Sequence, residues 1–353
     1  MWYIEKPRRE LLETYASLLL PSIKKRINEK RLDDKFKALC DYLWPINGKD
    51  NIIKEILIAE PKRLFKLNYL HLNNLLSLFY PRDIVTPSYS HFRYSEKQLR
   101  HYLKAKKKRK RKRRDNFLIC RYDDLFNFLF YIFDYNIVKG EIATQIAYMK
   151  NINTCPYCNR LYTFTIVKSG GKNIIRPHFD HWFAHSHYPL MSLSFYNLIP
   201  SCFICNSSVK GDKHFSLKTH IHPYMSTSAD PNFKFRPDLK IDNRTGKVQW
   251  GVIMKRDIQS CEDRMIHDFA LEEMYDCHGE LEVKDIMNFV LKNNPTYLHD
   301  LFSSTCLNLR EEYTSADVYR MMFGVEGDRE KSFYRPLSKL KRDILEAQGI
   351  FIE

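Results

Sequence analysis

The 353-residue chain is long enough for two or three domains, or for one large domain with appendages. With 44% hydrophobic and 14% aromatic residues it can fill a real core, which excludes wholesale disorder. The formal charge of +15 is uneven, because the run Lys104–Arg114 supplies 10 of those charges and the remainder is only mildly basic. A concentrated positive segment points to a polyanionic partner.

Residues 1–100 read as helical. Leu11, Leu12, Tyr15, Leu18 and Leu19 recur at helical spacing, and similar patches follow at Phe36–Leu43, Ile52–Ile58 and Leu67–Phe79. Pro21, Pro45, Pro61 and Pro81 are expected to punctuate them. In Lys104–Arg114 the adjacent like charges repel, so the segment is expected as an extended arm, either a solvated linker or a contact for phosphates. Two helices with a break near Asn136–Gly140 should fill 116–150, the second placing Ile142 and Ile146 on one face. The richest apolar run, Leu125–Phe133, is a buried helix and too short to cross a bilayer. With no secretory leader in the opening residues, the expectation is a cytoplasmic protein without membrane attachment.

The texture changes between 153 and 215. Tyr162–Val167 alternates and is rich in β-formers, Ser169–Lys172 signals a turn, and Ile174–Trp182 is expected to return as the second strand of a hairpin. Phe195–Ile199 could be a further short strand, and a helix starting near Ser201 would carry Cys205, Asn206 and Lys210. Beyond 226, Phe233–Pro237 and Val248–Val252 flank the turn Asn243–Gly246 as a small β element. Helices are expected at Asp257–Tyr275, Lys284–Leu291 and Pro336–Ala347.

Of nine cysteines, four form two pairs, Cys155/Cys158 and Cys202/Cys205, separated by 43 residues. Each Cys-x-x-Cys turn aims two thiolates at one ion, and two such turns complete the tetrahedron that zinc prefers. A redox dithiol fits less well, because there are two pairs and no βαβ pattern around them. Cys40, Cys120, Cys261, Cys277 and Cys306 are assigned to packing. A closed four-cysteine zinc site has no open position and is structural, so any chemistry must come from the residues interleaved with it.

Those residues are Asp180-His181, Asn197, Asn206 directly after Cys205, and Lys210. The order and spacing resemble the HNH, or ββα-metal, endonucleases. The resemblance covers about 60 residues and implies an α+β protein, mainly helical, in which a ββα-metal core is stapled by the Cys₄ zinc. With the apolar spacing on either side, it divides the chain into a helical N-terminal region over 1–150 with its basic loop at 104–114, the implied nuclease core over 151–225, and a mixed, mostly helical region over 226–353. It also implies roles. His181 would be the general base, since a neutral imidazole can accept a proton from water near neutral pH. Asp180 and Asn206 would offer oxygen to Mg²⁺ or another divalent cation. Asn197 would brace the loop carrying the base, and Lys210 would lie near the scissile phosphate. Many family members carry His at the last position, where this chain has Asn206.

His178, two residues before Asp180, would share that residue's strand face. His185 and His187 read as belonging to a solvent loop. His220–Tyr224 and Arg335–Arg342 are similar to segments of bacterial HNH proteins in anti-phage systems, such as the nuclease subunit that accompanies the Septu ATPase. DNA and possible partner subunits follow from that resemblance. The alternative is a zinc-stabilised module that binds nucleic acid, or regulates a complex, without cutting.

Overall fold

The computed structural model describes residues 2–46, 52–79, 116–169, 173–227, 230–293, 297 and 314–350. The basic run Lys104–Arg114 lies outside the described residues, as does Cys306. The chain opens with helices α1 (Arg9–Arg31), α2 (Asp34–Leu43), α3 (Ile52–Ile58) and α4 (Pro61–Phe79), followed by α5 (Asn116–Ile132) and α6 (Gly140–Lys150). Pro61 starts a helix as expected, but Pro21 sits inside α1 and does not end it. The buried stripe Tyr15, Leu19, Ile23 and Ile27 continues past it, so packing outweighs the missing hydrogen bond. The break between α5 and α6 holds a 3₁₀ turn, Tyr135–Ile137, capped by the Asp134 side chain.

Among the described residues three two-stranded antiparallel sheets follow: β1 (Ile166–Val167) with β2 (Asn173–Ile175), β3 (His178–His181) with β4 (Leu198–Ser201), and β5 (Lys234–Ile241) with β6 (Val248–Lys255). The expected hairpin is therefore divided. The segment 174–182 is broken at Arg176-Pro177, and its second half pairs with β4, Asp180 opposite Ile199 and His181 opposite Leu198. Pro177 has no N–H to continue a ladder, which lets the chain change partner there. Phe195–Asn197 is a 3₁₀ turn leading into β4, not the start of the strand. The segment after Cys202 is a π-helical turn, Ile204–Lys210.

The closing region contains α7 (Cys261–Asp268), α8 (Leu271–Asp276), α9 (Lys284–Lys292), α10 (Ser315–Phe323) and α11 (Ser338–Ala347). The long helix expected over 257–275 is split at Ala270, whose φ of +48° no α-helix tolerates. Helix α11 is fixed through charge. Buried Lys339 and Arg342 meet Asp230 at 2.8 and 3.0 Å, and Asp343 accepts from the backbone N–H of Phe235 at 3.0 Å. The basic segment before 342 is thus a buried ionic anchor.

One buried core runs from Trp2 to Ile350, and the segments on either side dock directly on the cysteine-bearing unit. Trp2 Nε1 donates to Tyr157 O at 3.1 Å, Tyr15 OH to Leu193 O at 2.7 Å, and Leu337 N to Asn159 O at 2.7 Å. Asn159 is the joint: it takes a φ of +49°, and its buried Nδ2 donates to Thr154 Oγ1, Ser332 O and Arg335 O at 3.0, 3.1 and 3.2 Å. Asn159→Ala removes all three bonds and strains the left-handed backbone, so it should lower stability by about 2–4 kcal/mol. Urea denaturation of the zinc-loaded protein measures this; a midpoint equal to wild type would show that the joint carries little.

Candidate functional site

The four paired cysteines converge. Cys155, Cys158, Cys202 and Cys205 are buried, and their sulfurs lie within 4.8 Å of one another, with Cys158 and Cys202 at 3.9 Å. Four thiolates about 2.3 Å from one zinc would sit about 3.8 Å apart, so the cluster fits a tetrahedral ion. Local geometry prepares each half. Cys155 accepts from Asn159 N at 2.8 Å, closing the first turn, and Cys202 accepts from Asn206 N at 3.0 Å, closing the second. Burial raises the thiol pKa of Cys155, while hydrogen bonds from the other three thiols lower that of Cys202.

Among the remaining cysteines, Cys40 is buried as expected, but Cys261 is partly exposed and Cys277 exposed, so packing does not account for those two.

The cysteine-bearing segments also hold Asp180. Tyr157, inside the first turn, donates its hydroxyl to Asp180 Oδ2 at 2.5 Å. Lys210, at the end of the π-helical turn that carries Cys205, places Nζ 2.9 Å from Asp180 Oδ1 and 2.7 Å from His181 O. Asp180 and Lys210 are each 2% exposed. Tyr157 stacks on Phe269 at 4.4 Å, and Lys210 Nζ lies 5.0 Å from the Phe215 ring, so the pair is enclosed by aromatic walls. Carboxylate and amide oxygens are the donor types a hard cation takes, but the arrangement does not leave them open to one. Both Asp180 oxygens already have donors, and the partly exposed Asn206 amide bonds Ser207 Oγ at 3.4 Å. Lys210, implied near the scissile phosphate, is instead buried on Asp180, because an unpaired carboxylate at that depth would be costly.

His181 stands on the next position of β3 and is partly exposed. Its Nε2 lies 3.0 Å from Ser192 O. A carbonyl only accepts, so Nε2 carries the proton and the ring's lone pair is on Nδ1. Tyr135 packs edge-on at 4.8 Å and His185 lies at 5.3 Å. Burial first, then nearby positive charge from His185 and Lys210, pushes the His181 pKa down to about 3. The imidazole is therefore neutral throughout the physiological range.

Asn197 is fully buried. Its Oδ1 accepts from Phe183 N at 2.7 Å, and its Nδ2 donates to Phe183 O at 3.2 Å and Met191 O at 2.9 Å. It ties both ends of the loop after His181, and Met191 precedes the Ser192 carbonyl that holds the imidazole. The other histidines do not all follow expectation. His178 is exposed at the end of β3 and packs edge-on to Phe203 at 5.5 Å. His185 and His187 are half-buried, with His187 against the His214 ring at 5.5 Å. His220 bonds Asp268 at 2.8 Å and His222 caps the turn at Pro223, so that segment is structural.

Tyr157, Tyr135 and Ser192 were not singled out by their sequence positions. Tyr157 was visible inside the Cys-x-x-Cys turn, but only the fold shows that its hydroxyl reaches Asp180.

No family model matches the chain, and no curated protein or solved structure matches it.

Stripping the metal with a strong chelator should unhinge the two turns together. Elemental analysis is expected to give one zinc per chain, and its removal to collapse the near-ultraviolet circular dichroism from Tyr157 and its neighbours. A zinc-free protein with an unaltered spectrum would mean that the cysteine cluster is not a metal staple.

Proposed function

We propose that the chain is a metal-dependent HNH endonuclease that hydrolyses phosphodiester bonds in DNA, with His181 as its general base. The observation that carries this reading is the imidazole fixed through Nε2 to the Ser192 carbonyl with its lone pair on Nδ1. That orientation suits proton removal from a water attacking phosphorus. Asn197 serves as a positioning residue, since it holds the loop on which the Ser192 carbonyl depends. A hard divalent cation such as Mg²⁺ would supply charge relief at the phosphate and the departing oxygen. Asp180 and Asn206 are the donors that the resemblance implies for it, although Asp180 is closed in the arrangement described. The basic run supports a polyanionic substrate, and the setting in anti-phage defence, with a partner ATPase, rests on the resemblance.

The second reading, a zinc-stabilised module that binds nucleic acid or regulates a larger complex, is favoured by the buried Lys210–Asp180 pair, since a binder needs no open carboxylate.

His181→Ala should abolish cleavage of plasmid DNA in Mg²⁺ while zinc content and thermal unfolding stay as in wild type. Because the His181 pKa lies near 3, protonation of this base should not reduce cleavage as pH falls from 7 to 5. Cutting by His181→Ala at the wild-type rate would remove the histidine from the mechanism.

Deleting Lys106–Arg114 should weaken DNA binding and flatten the dependence of log K on log salt, since each phosphate contact releases counterions. An unaltered slope would show that the arm does not touch phosphate.

A further inference from the structure

A carboxylate meant for a metal would be expected to keep at least one oxygen towards solvent, and Asp180 keeps neither. Lys210 Nζ lies 2.9 Å from Oδ1, Tyr157 OH lies 2.5 Å from Oδ2, and a second Lys210 bond reaches His181 O at 2.7 Å. The ammonium is thus bound twice, once to the carboxylate and once to the main chain of the proposed base. It arrives from the π-helical turn that also carries Asn206, so the same short turn brings the implied second oxygen donor and the competing cation.

We infer that Lys210 is the resident cation of this site, and that a divalent ion and the Lys210 ammonium compete for Asp180. The inference rests on the reading of Asp180 as a cation ligand in a nuclease, and it adds how that site is held closed. Two cations cannot share one buried carboxylate oxygen at contact distance, because the enclosed setting screens their repulsion poorly. Loading therefore requires the Lys210 side chain to swing off Asp180 and His181 O. Tyr157, which is uncharged, can stay as a donor to the other oxygen.

The test is Mn²⁺ binding to the zinc-loaded full chain without nucleic acid, followed by electron paramagnetic resonance. Wild type should bind weakly. Lys210→Met should bind at least about tenfold more tightly, since it removes a unit charge beside the ion. Lys210→Gln, which keeps an N–H for Asp180 and loses only the charge, should show the same direction if Lys210→Met does not fold. Tyr157→Phe should leave the affinity within about threefold of wild type, because no charge is removed. Adding Asp180→Asn to Lys210→Met should abolish the gain, which locates the ion. Tight Mn²⁺ binding by wild type, or no gain in either Lys210 variant, would overturn the competition. Cleavage is not read in any arm, so loss of nuclease activity in the earlier test leaves this result standing, and the reverse also holds.

Discussion

Convergence of four sulfurs from two distant turns is the constraint on which the site depends. Cys155 and Cys158 leave the end of α6, while Cys202 and Cys205 follow β4, and 43 residues lie between the pairs. Sheets of two short strands are marginal by themselves. Here the β3–β4 ladder has only four paired positions, and it is held at the end where Ser201 meets His178 and the second cysteine turn begins. A zinc ion joining the turns would supply the order that so short a ladder lacks.

The cysteine cluster also connects to Asp180 through single side chains. Tyr157 reaches Asp180 from the first turn and Lys210 reaches it from beyond the second, so both clamps on the carboxylate are carried by cysteine-bearing segments. On the neighbouring position of the strand, His181 is oriented by a separate device. The Ser192 carbonyl fixes its tautomer, and Asn197 fixes the loop that presents the carbonyl. The carboxylate is held by the cysteine-bearing turns and the imidazole by the asparagine-braced loop, and the two halves meet at Lys210, which bonds both Asp180 and His181 O. The helical front closes over the second half through Tyr135, and the C-terminal segment seals the first through Asn159. This explains why the flanking regions share one core with the cysteine unit.

Much of this was legible in the chain. The helices at the front, the break between α5 and α6, the β5–β6 element and the closing helix follow from apolar spacing and capping residues. The cysteine quartet followed from its two repeated turns. The paired strands were misplaced because local pattern cannot tell which partner a strand takes: 174–182 looks continuous until Pro177 allows it to leave β1 for β4. Pro21 misled in the opposite direction, since buried side chains on both sides carry α1 through it.

The sequence by itself determined which residue types could act: thiolates in pairs, an Asp-His step, two asparagines and a lysine at regular offsets. Covalent spacing is enough for that, because it limits which side chains a short turn can bring together. Only the tertiary structure decided how they are paired. It turned Lys210 from an expected phosphate contact into the partner of Asp180, placed His178 outside the cluster, and brought in Tyr157 and the Ser192 carbonyl. The reason is burial. Once Asp180 is removed from water its charge must be met by whatever donor the packed chain can deliver, and that depends on depth and direction, which one-dimensional spacing does not encode.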